Sequence, residues 1–377
     1  MSSRNDVFHR WVLHDYLQVN GGAERLVNIL ASGLPGFSLG VSGIYSGFSG
    51  SGNLDGVALR CLSGPYGMLP RIPRALLTFR HLRLLADAEC VVYSGFYAPL
   101  AVRSQQRGRK LMYCHTPPRF AFDWEEQYLG RVSPGLRPLL RRVIGSYRES
   151  YLEALAHMQV LVTNSEHVRR RARDLTGRDS IVVYPPVATD LFRWSGQGDY
   201  YLSLGRLEPN KRVDRVIAAF RAMPDKQLVV ASGGSELARL RQLAAGARNI
   251  RFTGWIDDAA LAELIGRARA CIYIPKDEDF GMSAVEAMAA GKPVIGVDEG
   301  GLRESILHGT TGLLLAADPS ADELADAVRV ITAERAMEMR NACEAKAAEF
   351  SSHRFLRSMA QLAGLAPETV EQPITGH

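Results

Sequence analysis

Residues 275–294 read PKDEDFGMSAVEAMAAGKPV and set Glu278 and Glu286 eight positions apart around the turn Phe280-Gly281-Met282. The apolar run Ala270-Cys271-Ile272-Tyr273-Ile274 ahead of them reads as a buried parallel strand delivering the chain to that turn. Helix formers follow over 283–290, with Gly291 just past the end and Pro293 beyond it. A strand, a glycine turn and a helix N-terminus aim unpaired backbone N–H groups at one spot, which suits an anionic phosphate. Carboxylates repel phosphate. Glu278, just before the anion site, and Glu286, about one turn into the helix, are therefore read as hydroxyl ligands, one for a sugar and one for a ribose. That combination describes a nucleotide-sugar site.

Working outward, short apolar runs at 200–204, 227–231, 250–253, 270–274 and 293–297 alternate with helical stretches, the pattern of a parallel α/β sheet. A similar series occupies 11–14, 38–41, 90–94, 110–114, 160–163 and 181–183. Between the two lie Tyr184-Pro185-Pro186-Val187 and Trp194-Ser195-Gly196-Gln197-Gly198-Asp199, which read as a linker and place a boundary near 188–198. The expected organisation is an N-terminal Rossmann-like domain over 1–190, a nucleotide-sugar domain over 198–350, and a helix end and tail over 351–377. A single last helix is expected over 333–365 and a disordered tail over 366–377. Ligands bind outside the carboxyl ends of the strands in such sheets.

Three loops at expected strand ends carry chemistry. In Ser203-Leu204-Gly205-Arg206-Leu207-Glu208-Pro209-Asn210-Lys211 a glycine bend presents Arg206 and Lys211, two cations suited to a diphosphate leaving group, or simply a basic loop. Gly21-Gly22-Ala23-Glu24 opens a helix over 25–31, where two glycines allow close backbone approach to phosphate or acceptor. It is not the G-x-G-x-x-G of a dinucleotide fold. His115, within Tyr113-Cys114-His115-Thr116-Pro117-Pro118-Arg119, ends a strand in a proline-rich loop, where α/β active sites form. Arg119 reads as a ligand for acceptor or phosphate.

These residues together resemble the retaining glycosyltransferases of the GT-B fold, family four, known as glycosyl transferases group 1. Glu278 to Glu286 resembles that family's E-x7-E motif, Arg206 to Lys211 its G-R-x-x-x-x-K motif, and the likeness runs from about Leu13 to Leu315. The first glutamate of the family motif usually precedes Gly, whereas Asp279 follows Glu278 here. The Glu-Asp-Phe-Gly variant resembles bacterial mannosyl- and rhamnosyltransferases of surface polysaccharide assembly. The resemblance implies an α/β, GT-B architecture of two Rossmann-like domains facing a deep cleft. It implies Glu278 on C3 and C4 hydroxyls of the sugar, Glu286 on the ribose, and His115 on the donor sugar. Arg206, Lys211 and the amides of Phe280, Gly281, Met282 and Ser283 would take the diphosphate, faced by the loop of Gly21 and Gly22. Glu304, in Glu299-Gly300-Gly301-Leu302-Arg303-Glu304, would shape the base-and-ribose pocket. The donor implied is a GDP-sugar and the acceptor a lipid-linked oligosaccharide at the inner membrane face, with no cofactor and no metal. No carboxylate is clearly placed as a nucleophile, and no D-x-D pair lies where one would be expected.

Bulk properties fit. The chain has 377 residues, 46% hydrophobic and 23% charged, which is ordinary for a soluble protein of two domains. No apolar run approaches the roughly 20 residues of a membrane span, and the start MSSRNDVFHRW lacks a signal-peptide pattern, so a cytoplasmic location is expected. Five scattered cysteines give no disulfide framework or zinc site and read as small core residues. The net charge of +5 is lopsided: residues 1–190 hold 23 Lys+Arg against 15 Asp+Glu. A basic half suits nucleic acid, acidic lipid or a phosphorylated acceptor, but no nucleic-acid motif accompanies it. Arg141, Arg142 and Arg148 among Leu139, Leu140, Val143 and Ile144 read either as an amphipathic membrane surface or as an ordinary half-buried helix. Arg169-Arg170-Arg171 reads as a solvated helix face with a capping box at Asn164-Ser165-Glu166. Two rivals remain: a nucleotide-sugar epimerase of the same fold, and an idle nucleotide-sugar binder. A UDP-sugar donor is the alternative within the family.

Overall fold

The computed structural model describes residues 9–18, 21–45 and 57–366. The tail expected over 366–377 therefore lies, beyond Ala366, outside the described residues. The chain divides into one unit of Met1–Pro186 with Ser352–His377 and a second of Val187–Ser351. The first is built on a seven-stranded parallel sheet of β1 Arg10–His14, β2 Phe37–Val41, β3 Ala58–Cys61, β4 Cys90–Ser94, β5 Arg109–Cys114, β6 Val160–Thr163 and β7 Ile181–Val182. Their order is β3-β2-β1-β4-β5-β6-β7. The second holds β8 Tyr200–Ser203, β9 Gln227–Ala231, β10 Ile250–Gly254, β11 Ala270–Ile272, β12 Val294–Val297 and β13 Gly312–Leu315, in the order β10-β9-β8-β11-β12-β13. Each sheet thus runs outward from its first strand and then reverses, the doubly wound order that opens a crevice between the first and fourth strands.

Strand residues of the first unit are apolar in both directions because helices cover both faces. Trp11, Leu13, Tyr93 and Met112 pack with Phe79, Tyr147 and Tyr151 on one side. Val12, Val92, Leu111 and Tyr113 pack with Leu26, Leu30, Phe355 and Leu356 on the other. The helices Gly22–Gly33 and Ser352–Ala363 press closely there, since a Cβ on Gly33 would stand 2.4 Å from Leu356 Cδ1.

All the expected strands are present, some shifted by a residue or two, and β3 and β13 are additions. β11 stops at Ile272, and Tyr273 just beyond it keeps one backbone bond to β12, from its N–H to Ile295 O at 2.9 Å. The single helix expected over 333–365 is two, Ala333–Ala348 and Ser352–Ala363. The break occurs where the Phe350 carbonyl accepts from Val187 N at 2.9 Å instead of from a helical amide. Ser165 caps its helix through Val168 N without a capping box, because the residue at the third helical position, Val168, has no carboxylate to reach back. The box occurs instead at Ser320 and Glu323. Of the cysteines, Cys61 is exposed and the other four are buried.

The stretch Trp194–Asp199 is bonded into the second unit rather than hanging free. Ser195 N and Gly198 N donate to the carbonyls of Gly266 and Arg267. The buried Lys292 ammonium donates to Gly196 O at 2.5 Å and lies 5.4 Å from the Trp194 ring centre, with Arg340 over the same ring at 4.2 Å. No described helix is long and apolar enough to cross a membrane.

Candidate functional site

In the second unit the crevice is lined by the loops after β8, β11 and β12. Beyond β8 the chain bends at Gly205 (φ +95°), passes the exposed Arg206, and turns through Pro209–Lys211. Arg206 makes no ion pair with any described residue. Lys211 is held: its Nζ donates to Glu278 Oε2 at 2.6 Å and to the Tyr273 hydroxyl at 2.8 Å. Tyr273 donates to the same Oε2 at 2.9 Å. Burial alone would depress the ammonium, but Tyr273 and the Glu278 carboxylate more than offset it and hold Lys211 above the ordinary lysine range.

The helix Met282–Ala289 starts from Gly281 at φ +91°, with no side-chain cap. Its first-turn amides at Met282 and Ser283 are the unsatisfied donors that an anion seeks. Phe280 contributes only backbone, since its ring is buried against Phe350 at 5.3 Å between centres. Glu286 is buried in the second turn, and Glu304 is half-buried in the short helix Leu302–Ser305. The glycine turn after β12 lies against the backbone of the motif. Gly301 N donates to Glu278 O at 2.9 Å, and a Cβ on Gly300 (φ +61°) would come within 2.3 Å of that oxygen. A second clasp joins the three loops. Arg212, a non-glycine residue at φ +53°, donates to Glu299 Oε2 at 3.0 Å, and Glu299 Oε1 accepts from Asp277 N at 3.0 Å. Such backbone strain persists only where neighbours over-determine it.

In the first unit the corresponding loops follow β1, β4 and β5. Asp15, at the end of β1, is buried and accepts from Phe96 N at 2.7 Å, Tyr97 N at 2.7 Å and Ala98 N at 2.8 Å. Burial pushes its carboxyl up from 3.8 to about 6, against the pull of those three donors. Ser94 Oγ bridges His14 Nδ1 at 3.0 Å and His115 Nε2 at 2.8 Å. Asn164 Nδ2 fixes the His115 carbonyl at 2.8 Å. Burial lowers His14 from 6.5 to about 4, and burial with His14 beside it lowers His115 to about 3, so both rings are neutral at pH 7. Arg119 stacks its guanidinium 4.6 Å from the Trp124 ring centre. Gly21 is the N-cap of Gly22–Gly33 with an extended backbone (φ −84°, ψ 174°), a conformation that needs no glycine.

These groups set an acid limit. Between pH 6.5 and 4 the unfolded chain takes up protons on two histidines that the folded chain refuses, so stability falls on acidification. Asp15 works the other way between 6 and 3.8, because the folded state holds its proton first. Two against one leaves a net loss of about 1.4 kcal/mol per pH unit between pH 6 and 4. The thermal midpoint of the first unit should drop over that range, and the slope should flatten in His115→Asn. A midpoint rising on acidification would contradict the assignment.

Among the anticipated residues, Lys211 and Glu278 are in contact, and Gly281 places Met282 and Ser283 at a helix N-terminus. Tyr273, Arg212, Glu299, Asp15 and Ser94 were not anticipated. The signals for two of them were Arg212, directly after Lys211, and Glu299, at the head of the glycine turn quoted above.

The sequence profile of glycosyl transferases group 1 matches residues 192–350. A GDP-mannose-dependent alpha-mannosyltransferase of Mycobacterium tuberculosis is 30% identical over 295 residues, 74% of this chain and 75% of that protein. A protein of the same description from Mycolicibacterium smegmatis is 36% identical over 143 residues, 38% of this chain and 37% of that one. The chain thus spans little more than a third of the latter relative's length. Among solved structures, HepE of Anabaena in complex with UDP and glucose superposes with a TM-score of 0.72 at 16% identity, covering 94% of this chain and 99% of that one. WaaG, a glycosyltransferase involved in lipopolysaccharide biosynthesis, gives 0.71 at 16% identity with the same coverage. Two parallel sheets of doubly wound order match the GT-B architecture of those structures, and with the mycobacterial relative aligned over three quarters of its length, the chain belongs to the glycosyl transferases group 1 family.

Proposed function

We propose that the chain is a retaining, metal-independent glycosyltransferase that moves mannose or D-rhamnose from a GDP-sugar to a lipid-linked oligosaccharide of surface polysaccharide, as in O-antigen synthesis. One observation carries the reading: Lys211 and Glu278 meet at 2.6 Å at the reversal point of the second sheet, three residues ahead of an uncapped helix start. A cation, a carboxylate and free amides converging there provide for a diphosphate and a sugar hydroxyl at once. Arg206, Lys211 and the amides from Phe280 to Ser283 stabilise the charge that develops as the nucleoside diphosphate leaves, commonly the largest catalytic effect. The bond from the sugar's anomeric carbon to the phosphate oxygen breaks. A bond from that carbon to the acceptor oxygen forms on the same face, and the acceptor's proton passes to the departing phosphate. Glu278 holds the sugar, Glu286 the ribose and Glu304 the base-and-ribose pocket. Gly21 and Gly22 approach the donor, His115 touches its sugar, and Arg119 takes the acceptor. The names of the mycobacterial relatives support the GDP-mannose donor.

Contact with an anionic membrane face is part of this reading. Residues 56–86 and 127–148 contain ten arginines and no acidic residue. The same stretches expose Met68, Ile72 and Leu84, and Leu136, Leu139 and Val143. Arg141 and Arg148 are paired with Glu126 and Glu125, which lie just outside these stretches, and the remaining excess of cations among exposed apolar side chains favours an interface rich in anionic lipid.

The test is turnover by the purified protein in EDTA, with GDP-mannose, GDP-rhamnose, UDP-glucose and UDP-N-acetylglucosamine as donors and membrane lipid extract, in vesicles, as acceptor. Transfer from a GDP-sugar is expected, with the protein sedimenting on anionic vesicles. Transfer only from a UDP-sugar discards the donor, loss in EDTA discards the metal-free mechanism, and absence from the vesicle pellet discards membrane contact. Sugar release or isomerisation without acceptor points to an epimerase.

A further inference from the structure

Tyr273 sits immediately after β11 and is 4% exposed. Its ring is wedged between the two glycine turns of the site. A Cβ on Gly205 would stand 3.0 Å from ring Cε2, and one on Gly281 would stand 3.5 Å from Cε1. Phenylalanine would fill that space equally well, so the packing accounts for the ring and leaves the hydroxyl unexplained. A hydroxyl taken this far from water is costly unless it is paired. This one is paired twice, both times with residues of the proposed donor site: it donates to Glu278 Oε2 at 2.9 Å and accepts from Lys211 Nζ at 2.8 Å.

The bonding divides the Glu278 carboxylate into two unlike halves. Oε2 accepts from both Lys211 and Tyr273, whereas Oε1 accepts from no described residue. Pinned through one oxygen by a rigid ring, the carboxylate can turn neither oxygen nor plane freely. We propose that Tyr273 is a positioning residue for sugar transfer, holding Glu278 through Oε2 so that Oε1 is committed to a hydroxyl of the donor sugar. It also gives the Lys211 ammonium a fixed neutral acceptor, which keeps that cation in place when a diphosphate draws on its remaining donor. Burial, and then the Glu278 charge, drive the phenol well above the ordinary tyrosine range, so it stays protonated through neutral pH. The inference rests on the transferase reading and adds to it a residue that touches no substrate.

The experiment compares Tyr273→Phe with the unaltered protein in two ways. The first is kcat with whichever donor the panel shows to be turned over. The second is the dissociation constant of that sugar nucleotide set against that of its nucleoside diphosphate, which isolates the contact to the sugar. Losing a hydrogen bond to a charged group should lower kcat about 10- to 100-fold. Sugar-nucleotide affinity should fall about tenfold, while nucleoside diphosphate affinity stays within about threefold. A kcat within about twofold of the unaltered protein overturns the proposal, as does an equal loss of affinity for both ligands, which is the mark of general loosening. An unaltered protein inert with every sugar nucleotide sinks the transferase reading itself, and this inference with it.

Discussion

Lys211→Ala is expected to lower turnover by about 10²- to 10³-fold, the cost of deleting one preorganised donor where charge develops in the transition state. The ammonium is positioned before any ligand arrives, by Glu278 at 2.6 Å and Tyr273 at 2.8 Å, so little reorganisation is needed at the moment of reaction. A second consequence separates Lys211 from Arg206. The Lys211 and Glu278 side chains are only 15% and 19% exposed, and deleting the lysine strands a carboxylate in that setting. That should cost about 2–3 kcal/mol of stability as well. Arg206 is exposed and has no ion-pair partner among the described residues, so Arg206→Ala should lose about 100-fold in turnover with the thermal midpoint unchanged. Kinetics and thermal unfolding on the two variants check both statements. Near-normal turnover of both would remove the diphosphate from this loop.

Asp15→Ala should be the most damaging single change to the first unit. It leaves the buried amides of Tyr97 and Ala98 and the half-buried amide of Phe96 without an acceptor. At about 1–3 kcal/mol per orphaned group, allowing for partial collapse, the loss is on the order of 3–6 kcal/mol. Gly95 packs against the carboxyl so closely that a Cβ there would stand 2.6 Å from Asp15 Cγ, so the only space opened beside these amides is that vacated by the carboxylate itself. Asp15→Asn offers a graded control. One amide oxygen can still serve Tyr97 and Ala98, but the NH₂ group opposes the Phe96 N–H, so about a third of the loss should remain. For a unit of this size the alanine variant should melt roughly 10 °C or more below the unaltered chain. A shift of a few degrees, or a worse outcome for asparagine than for alanine, would contradict this account.

The legible parts of the chain were those governed by period and punctuation. Val12, Val92 and Leu111 stand in apolar runs bounded by turn residues, and such runs mark buried parallel strands. Gly281 and Gly291 announced the ends of the helix between them, and both adopt positive φ. β3 escaped because Ala58-Leu59-Arg60-Cys61 is only four residues long, is broken by Arg60 and is partly exposed at the sheet's edge, so it lacks a buried apolar run. Tyr273 escaped for the opposite reason: within Ala270-Cys271-Ile272-Tyr273-Ile274 it reads as one more strand residue, and nothing local reveals that its hydroxyl meets Lys211 and Glu278. Asp15 was hidden because its partners are about 80 residues away along the chain, and Ser94 because its partners His14 and His115 are 80 and 21 residues away. Side-chain chemistry at the crevice follows from which strands become neighbours, and period alone does not specify that.

The return of residues 352–363 to the first unit has a consequence for how the protein is made. Val27, Leu30 and Val92 lie in the same buried cluster as Phe355, Leu356 and Met359. While the ribosome works through residues 187–351, that apolar face of a nearly finished sheet is covered by the helix Gly22–Gly33 but lacks the helix Ser352–Ala363 beside it. At 5–20 residues per second the delay is roughly 10–35 s, far longer than a domain needs to fold. The half made second can therefore be complete first, and the half made first must wait, holding an adhesive surface that early release or a chaperone would have to answer for.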